Sequence, residues 1–223
     1  VNGELREQYA TESVSVKAYY LPSAYVVTEL SEQDSCAEIA VHIRVKSRGT
    51  LNEVLIGQGN NVWFGVIQKN IPVNSVAFVV MILGIILIAS WLILHRLEQN
   101  SRASFFLGLL MTDIGIWVFS ESNLRQIIFS KPSLSSYFAY LSVELLGVLA
   151  CLFFDEVQHK KYHSTYIIIE SVVCIQLTAN IILHFTHVAD LYQTLIFSHI
   201  WMVLGLVFAV VNVIKDIRTK RIK

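Results

Sequence analysis

Residues 75–94, SVAFVVMILGIILIASWLIL, decide the fold, because this stretch of 20 residues contains no charged side chain. An α-helix of that length extends about 30 Å, which matches the thickness of the hydrocarbon core of a lipid bilayer. The stretch therefore predicts a membrane-spanning helix.

Four further apolar stretches follow, and each is long enough to be a span. They are residues 103–120, 136–154, 165–185 and 194–214. Of the 223 residues, 54% are hydrophobic and only 15% are charged, whereas about a quarter are charged in an ordinary soluble domain. We therefore expect a membrane α-helical bundle of about five spans, occupying residues 73–214, with the lipid bilayer as its first partner.

Residues 1–72 are more polar and predict β structure. In AEIAVHIRVKS (37–47) the apolar residues alternate with polar or small ones, which is typical of a strand with one buried face. Shorter candidate strands are SVSVKAYYL (13–21), AYVVTEL (24–30), NEVLIGQG (52–59) and NVWFGVIQ (61–68). About five strands make a partial sandwich, so we expect an extracytoplasmic all-β domain that is incomplete at its N-terminal edge.

The distribution of Lys and Arg predicts the orientation, because cytoplasmic loops carry more of these residues. With the N-terminus outside, the outer connections hold only Arg125 and Lys131. The inner segments then hold Arg96, Arg102, Lys160, Lys161, Lys215, Arg218, Lys220, Arg221 and Lys223. We therefore expect an N-out, C-in protein of a bacterial plasma membrane, in which residues 215–223 form a basic cytoplasmic helix.

Four segments of the sequence resemble segments of a known family. They are LNEVLIGQG (51–59), IPVNSVAFVVMILGIILIASWLIL (71–94), LGLLMTDIGIWVFSESNLRQIIFSKPSLSSYFAYLSVELLG (107–147) and HVADLYQTLIFSHI (187–200). Over residues 38–223 the chain resembles the sensory half of bacterial seven-transmembrane receptors with diverse intracellular signalling modules. Within that group it is similar to clostridial membrane diguanylate cyclases, which carry a GGDEF motif.

The resemblance implies an extracytoplasmic β domain that binds a ligand, seven spans, and an effector domain that works as a homodimer. This chain departs from the pattern because it has five spans and no effector. We therefore expect two spans and a cyclase or kinase domain beyond Lys223, and no enzymatic activity or cofactor in these residues. Alternatively, the basic segment is the true end and a partner protein supplies the output.

Three carboxyl side chains lie inside the predicted spans, namely Asp113, Glu144 and Glu170. Ionisable groups are costly in hydrocarbon, so they are candidates for an intramembrane switch or relay. By depth, Asp113 and Glu144 both lie near the midplane and can meet, which would leave one of them protonated, whereas Glu170 lies nearer the inner end. The alternative is structural, with Asp113 hydrogen-bonded to a hydroxyl group and Glu144 to a tyrosine such as Tyr140.

A second candidate site lies at the outer ends of the fourth and fifth spans. It consists of His184, His187, Asp190 and His199, which are residue types that bind an extracellular ligand or a metal such as zinc. The alternative is that these residues are ordinary interface and loop residues. Gln176, Asn180 and His184 also form a polar stripe on the fourth span, facing either a hydrated cavity or neighbouring helices.

Other classes of function find no support in the sequence. No basic run lies among stacking aromatic residues, which argues against binding of nucleic acid. No glycine-rich loop with a lysine is present for nucleotides. A rival from another class remains open: a small transporter or channel component that uses Asp113 and Glu144 as a proton or cation relay. A purely structural membrane partner subunit is the third alternative.

Overall fold

The structure, a computed structural model, describes residues 1, 3–7, 25–36, 38–41, 54–95, 102–129, 132–189 and 191–218. A short 3-10 helix spans Glu32–Asp34. The α-helices are α1 (Gly59–Leu94), α2 (Ala103–Glu121), α3 (Arg125–Ile128), α4 (Pro132–Val157), α5 (His163–Phe185) and α6 (Leu191–Arg218). All of these α-helices except α3 are long and apolar enough to cross a membrane. The prediction of a five-span helical bundle is confirmed.

Helix α4 is the centre of the bundle. It packs against α2 on one side and against both α5 and α6 on the other, while α1 lies at the edge and packs mainly on α2. We call the end that holds the α1–α2 connection, residues 158–162 and the last turn of α6 the basic end. The other end, which holds the α2–α4 connection and the α5–α6 turn, is the opposite end.

The predicted strand at residues 61–68 is wrong, because these residues lie inside α1. The helix begins at Gly59, well before the predicted span, and continues through Pro72. Its buried residues Val66, Asn74, Ala77 and Gly84 recur at helical spacing, so one side of a single long helix faces the bundle. Over a stretch as short as residues 61–68, apolar periodicity does not distinguish a buried helix segment from a strand.

The predicted all-β domain is not supported by the described residues. Residues 25–30, 38–41 and 54–58 contain no strand, and the side chains of Ile39 and Val41 are exposed. A strand needs a neighbouring strand for its backbone groups, but Tyr25 uses the Gln126 side chain instead: its N–H donates to Gln126 Oε1 at 3.0 Å and its C=O accepts from Gln126 Nε2 at 3.2 Å. Residues 13–21 and 42–47 lie outside the described residues.

The Tyr25 contact attaches the N-terminal segment to the connection between α2 and α4. The neighbouring Arg125 side chain is buried, and its Nη1 donates to the carbonyl groups of Glu121 at 3.0 Å and Ser122 at 2.7 Å. The last carbonyl groups of a helix have no intrahelical partner and attract positive charge. Arg125 therefore closes the end of α2 and fixes the connection that holds the N-terminal segment.

Glycine allows α1 and α2 to approach closely. A Cβ atom at Gly84 would lie 2.4 Å from Thr112 Oγ1 and 2.6 Å from the carbonyl oxygen of Gly108. At Gly115 it would lie 2.7 Å from Met81 Cβ. Small residues at such positions let membrane helices pack through their backbones. Gly108, Thr112 and Gly115 of α2 thus lie at the close contact with α1.

We expect Gly84→Ala to destabilise the bundle by about 1–3 kcal/mol, because the added methyl group meets the backbone of α2. The matched control is Gly65→Ala on the same helix, where a Cβ atom has no neighbour within 4 Å. Thermal unfolding in detergent would measure both variants. Equal melting temperatures for the two would contradict the close α1–α2 contact.

Candidate functional site

Glu144 is the most deeply buried carboxyl group among the described residues, with 2% of its surface exposed. It lies on α4 where this helix faces α5 and α6. Its Oε1 accepts a hydrogen bond from the Tyr140 hydroxyl group at 2.8 Å and a second from the Ser198 hydroxyl group on α6. The Asn180 amide on α5 donates a longer third bond to the same oxygen, at 3.4 Å. One carboxyl group thus joins three spans.

The surrounding amides extend this network. Asn180 Nδ2 donates to the Tyr140 hydroxyl oxygen at 2.7 Å, and Gln176 Nε2 donates to Ser198 Oγ at 2.7 Å. We call Tyr140, Glu144, Gln176, Asn180 and Ser198 the Glu144 cluster. Of the two interpretations of the polar stripe on α5, the structure shows the contact with neighbouring helices.

The stripe continues toward the opposite end of the bundle through His184. Its Nε2 is hydrogen-bonded to the hydroxyl group of Tyr137 on α4 at 2.9 Å, and the two rings meet edge to face with centroids 5.5 Å apart. His184 is buried, with 6% of its surface exposed. It therefore packs between α4 and α5 and does not face the surface.

Asp113 and Glu144 do not meet. Asp113 on α2 is buried, and its carboxyl group is hydrogen-bonded to the hydroxyl group of Ser142. Ser142 and Glu144 are two residues apart on α4, which places them about 200° apart around the helix. The two carboxyl groups thus lie on opposite faces of α4 and share no hydrogen-bond partner. Their actual contacts are those of the structural alternative, a hydroxyl group for Asp113 and Tyr140 for Glu144.

Glu170 belongs to the basic end of the bundle. The charged groups that interact with its half-buried carboxyl group are Asp155 and His163. Asp155 is itself buried and is hydrogen-bonded to His163 Nδ1 at 2.6 Å. Glu170 therefore takes no part in the Glu144 cluster, which agrees with the expected separation by depth.

The site predicted at the outer ends of the fourth and fifth spans is not assembled in the part of the chain that the structure describes. His184 points into the bundle, His187 is exposed in the turn after α5, and His199 is exposed on α6, where its Nδ1 bonds to the carbonyl group of Leu195 at 2.8 Å. Asp190 lies outside the described residues. Among the described residues no three His, Cys, Asp or Glu side chains are placed to hold a metal ion.

Sequence reasoning missed a polar cluster at the basic end. Asp216 near the end of α6 is buried, with 3% of its surface exposed. It forms an ion pair with Lys161 and accepts a hydrogen bond from the Tyr162 hydroxyl group at 3.3 Å, both from the loop between α4 and α5. The hydrogen bond with Asp216 raises the pKa of Lys161 above its ordinary value. The one available signal was Asp216 itself, the sole acidic residue of a basic segment.

The same loop is held to α6 by a second contact. Gln158 Nε2 donates to the backbone carbonyl group of Ala209 at 3.3 Å, and the buried Tyr166 hydroxyl group donates to Gln158 Oε1 at 3.2 Å. His159 and Lys160 adopt left-handed backbone conformations, with φ of 51° and 59°, so the chain turns sharply here. The loop between α4 and α5 therefore contacts the last third of α6 at two points, Ala209 and Asp216.

No protein family model, curated protein or solved structure matches this chain. Chemically, the Glu144 cluster offers a carboxyl group, hydroxyl groups and amides with little solvent exposure. Such a group can hold three helices in one arrangement and change that arrangement when its hydrogen bonds change.

We expect Ser198→Ala to lower the free energy of unfolding by about 0.6 kcal/mol, and by at most about 1.7 kcal/mol, the range measured for hydrogen bonds between membrane helices. The change removes a donor from Glu144 and an acceptor from Gln176. Thr178→Ala is the control, since this exposed hydroxyl group bonds only to the Cys174 carbonyl group of its own helix. A larger effect of the control in thermal unfolding would contradict the assignment.

Lys161→Gln is expected to lower the melting temperature, because it removes the ion-pair partner of a buried carboxyl group. Lys160→Gln is the control, since Lys160 pairs with Glu156 at 3.3 Å on the surface. A raised lysine pKa means that the stabilisation is complete below the ordinary pKa of about 10.4 and disappears as the pH rises through the higher pKa of the folded protein. A difference between wild type and Lys161→Gln that grew with alkaline pH would be the opposite result.

Proposed function

We propose that the chain is the sensor and transducer portion of a bacterial multi-pass membrane receptor, and the input half of a membrane diguanylate cyclase. The observation that supports this most is the Glu144–Ser198 hydrogen bond, which ties α6 to the central helix α4 in the bundle interior. Helix α6 carries the basic segment toward the expected effector. Any shift of α6 against α4 must therefore change the Glu144 cluster.

The contacts at the two ends of the bundle fit a path for a signal. At the opposite end, Gln126 holds the N-terminal segment next to the start of α4. At the basic end, Lys161 and Tyr162 hold the end of α6 through Asp216. An extracytoplasmic ligand can move such a system only by binding one packing arrangement more tightly than another. The path runs from the segment at Tyr25 through α4 to α6.

The proposal includes the orientation and the partners. The basic end lies in the cytoplasm, since it carries the excess of Lys and Arg, and the N-terminal segment is extracytoplasmic. The receptor works as a homodimer, because cyclase outputs act in pairs. The cyclase domain follows the basic segment.

The contacts of the two carboxyl groups do not form the relay that the transporter or channel alternative predicted. A relay needs groups that exchange a proton or an ion along a connected path, but Asp113 and Glu144 lie on opposite faces of α4 with separate partners. Each carboxyl group instead holds a helix contact. A structural partner subunit fits the same contacts, and it differs from a receptor only in the absence of an output.

The test measures cyclic di-GMP in cells that express the full-length gene product. We expect Ser198→Ala to change its level several-fold at equal expression, because the α4–α6 bond is part of the path, whereas Thr178→Ala leaves it unchanged. In proteoliposomes, Asp113→Asn and Glu144→Gln should leave ion flux at the wild-type level.

Three results would contradict the proposal, each in a different way. Loss of ion flux in Asp113→Asn and Glu144→Gln would favour a transporter. An unchanged cyclic di-GMP level in Ser198→Ala, together with unchanged flux, would favour a structural subunit. A reading frame that encodes no cyclase domain after Lys223 would contradict the proposal that the chain is the input half of a diguanylate cyclase.

A further inference from the structure

The hydrogen bonds of Glu144 are distributed unequally between its two oxygen atoms. Oε1 accepts from Tyr140, Asn180 and Ser198, whereas Oε2 is buried and has no hydrogen-bond partner among the described residues. Three donors on one oxygen suit an ionised carboxylate, which only accepts. A protonated carboxyl group would instead place a donor on Oε2.

An ionised Glu144 needs a positive partner. An isolated carboxylate is very costly away from water, and a buried charge is normally paired or bound to a metal ion. The other members of the Glu144 cluster are uncharged amides and hydroxyl groups. Residues 136–154, 165–185 and 194–214, which form the walls around the cluster, contain no Lys or Arg. These walls therefore supply no Lys or Arg charge to Glu144, and a bound cation can supply it instead.

The cluster has the donor atoms that a hard cation prefers. Carboxylate, amide carbonyl and hydroxyl oxygens suit alkali and alkaline-earth ions, whereas softer metals select sulfur or imidazole. The hydroxyl oxygens of Tyr140 and Ser198 both lie within hydrogen-bonding distance of Glu144, and the amides of Asn180 and Gln176 contact those two oxygens. Hydroxyl oxygens from α4 and α6 thus lie beside the carboxyl group, and amide nitrogens from α5 complete the set of contacts.

We propose that the Glu144 cluster binds one monovalent alkali cation, of the class of Na⁺, at Glu144 Oε2. A single carboxylate balances a single positive charge, while a divalent ion would leave an excess charge in the bundle interior. Asp113 gives the contrast, because its one partner among the described residues is the Ser142 hydroxyl group, whereas Glu144 has three. The ion would hold α4, α5 and α6 together, whether or not the chain is a receptor.

The experiment compares the melting temperature of the purified full-length protein in NaCl, KCl and choline chloride at equal ionic strength and at two pH values. We expect an alkali cation to raise the melting temperature of the wild type by about 5 °C relative to choline, by mass action on the folded state. Equilibrium binding of ²²Na⁺ should give about one ion per chain. Glu144→Gln and Ser198→Ala should lose both effects, and the matched control Asp113→Asn should keep them.

Each contrary result overturns the proposal. Equal melting temperatures in all three salts, together with no bound ²²Na⁺, would show that no alkali cation binds. A melting temperature that depends on pH alone would assign the compensating charge to a proton. A sodium effect that survives in Glu144→Gln would place the ion elsewhere. None of these measurements uses cyclic di-GMP, so the cation site and the receptor proposal fail separately.

Discussion

The bundle is organised around the need to satisfy a carboxyl group that water does not reach. Glu144 makes its hydrogen bonds within α4 and with the two helices that follow it in the chain. In a lipid environment, unsatisfied polar groups cost several kcal/mol, so Asn180 of α5 and Ser198 of α6 face α4. This requirement fixes which face of each apolar helix points inward, a choice that hydrophobicity alone leaves open.

Much of the membrane part could be predicted from the sequence, because 20 uncharged residues have few alternatives to a spanning helix. The polar stripe of Gln176, Asn180 and His184 could also be predicted, because polar side chains at helical spacing define one face of a helix. The strand at residues 61–68 was predicted wrongly. Its apolar residues fit both periods over so short a stretch, and the continuation into the first span was the stronger signal.

The arrangement of the candidate sites was harder to predict, because it depends on rotation about each helix axis. Depth along the helix suggested that Asp113 and Glu144 meet. However, Ser142, which bonds to Asp113, and Glu144 lie on opposite faces of α4. Spacing suggested that the outer histidines converge, yet His184 turns inward and His199 outward. The pairing of Lys161 with Asp216 joins residues far apart in the chain, and no local pattern contains that information.

Helix α1 has 36 residues and therefore extends about 54 Å, although about 30 Å is enough to cross the hydrocarbon core. The remaining length of about 24 Å is continuous with the membrane part of the same helix. Pro72 lies near the junction of the two parts, where its missing N–H leaves one intrahelical hydrogen bond unmade. For a straight helix, a tilt of about 10° in the membrane would displace the tip by about 4 Å. The thickness of the surrounding bilayer, which contributes to helix tilt together with the packing of α1 on α2, is thereby coupled to the position of Gly59 and of the chain that precedes it.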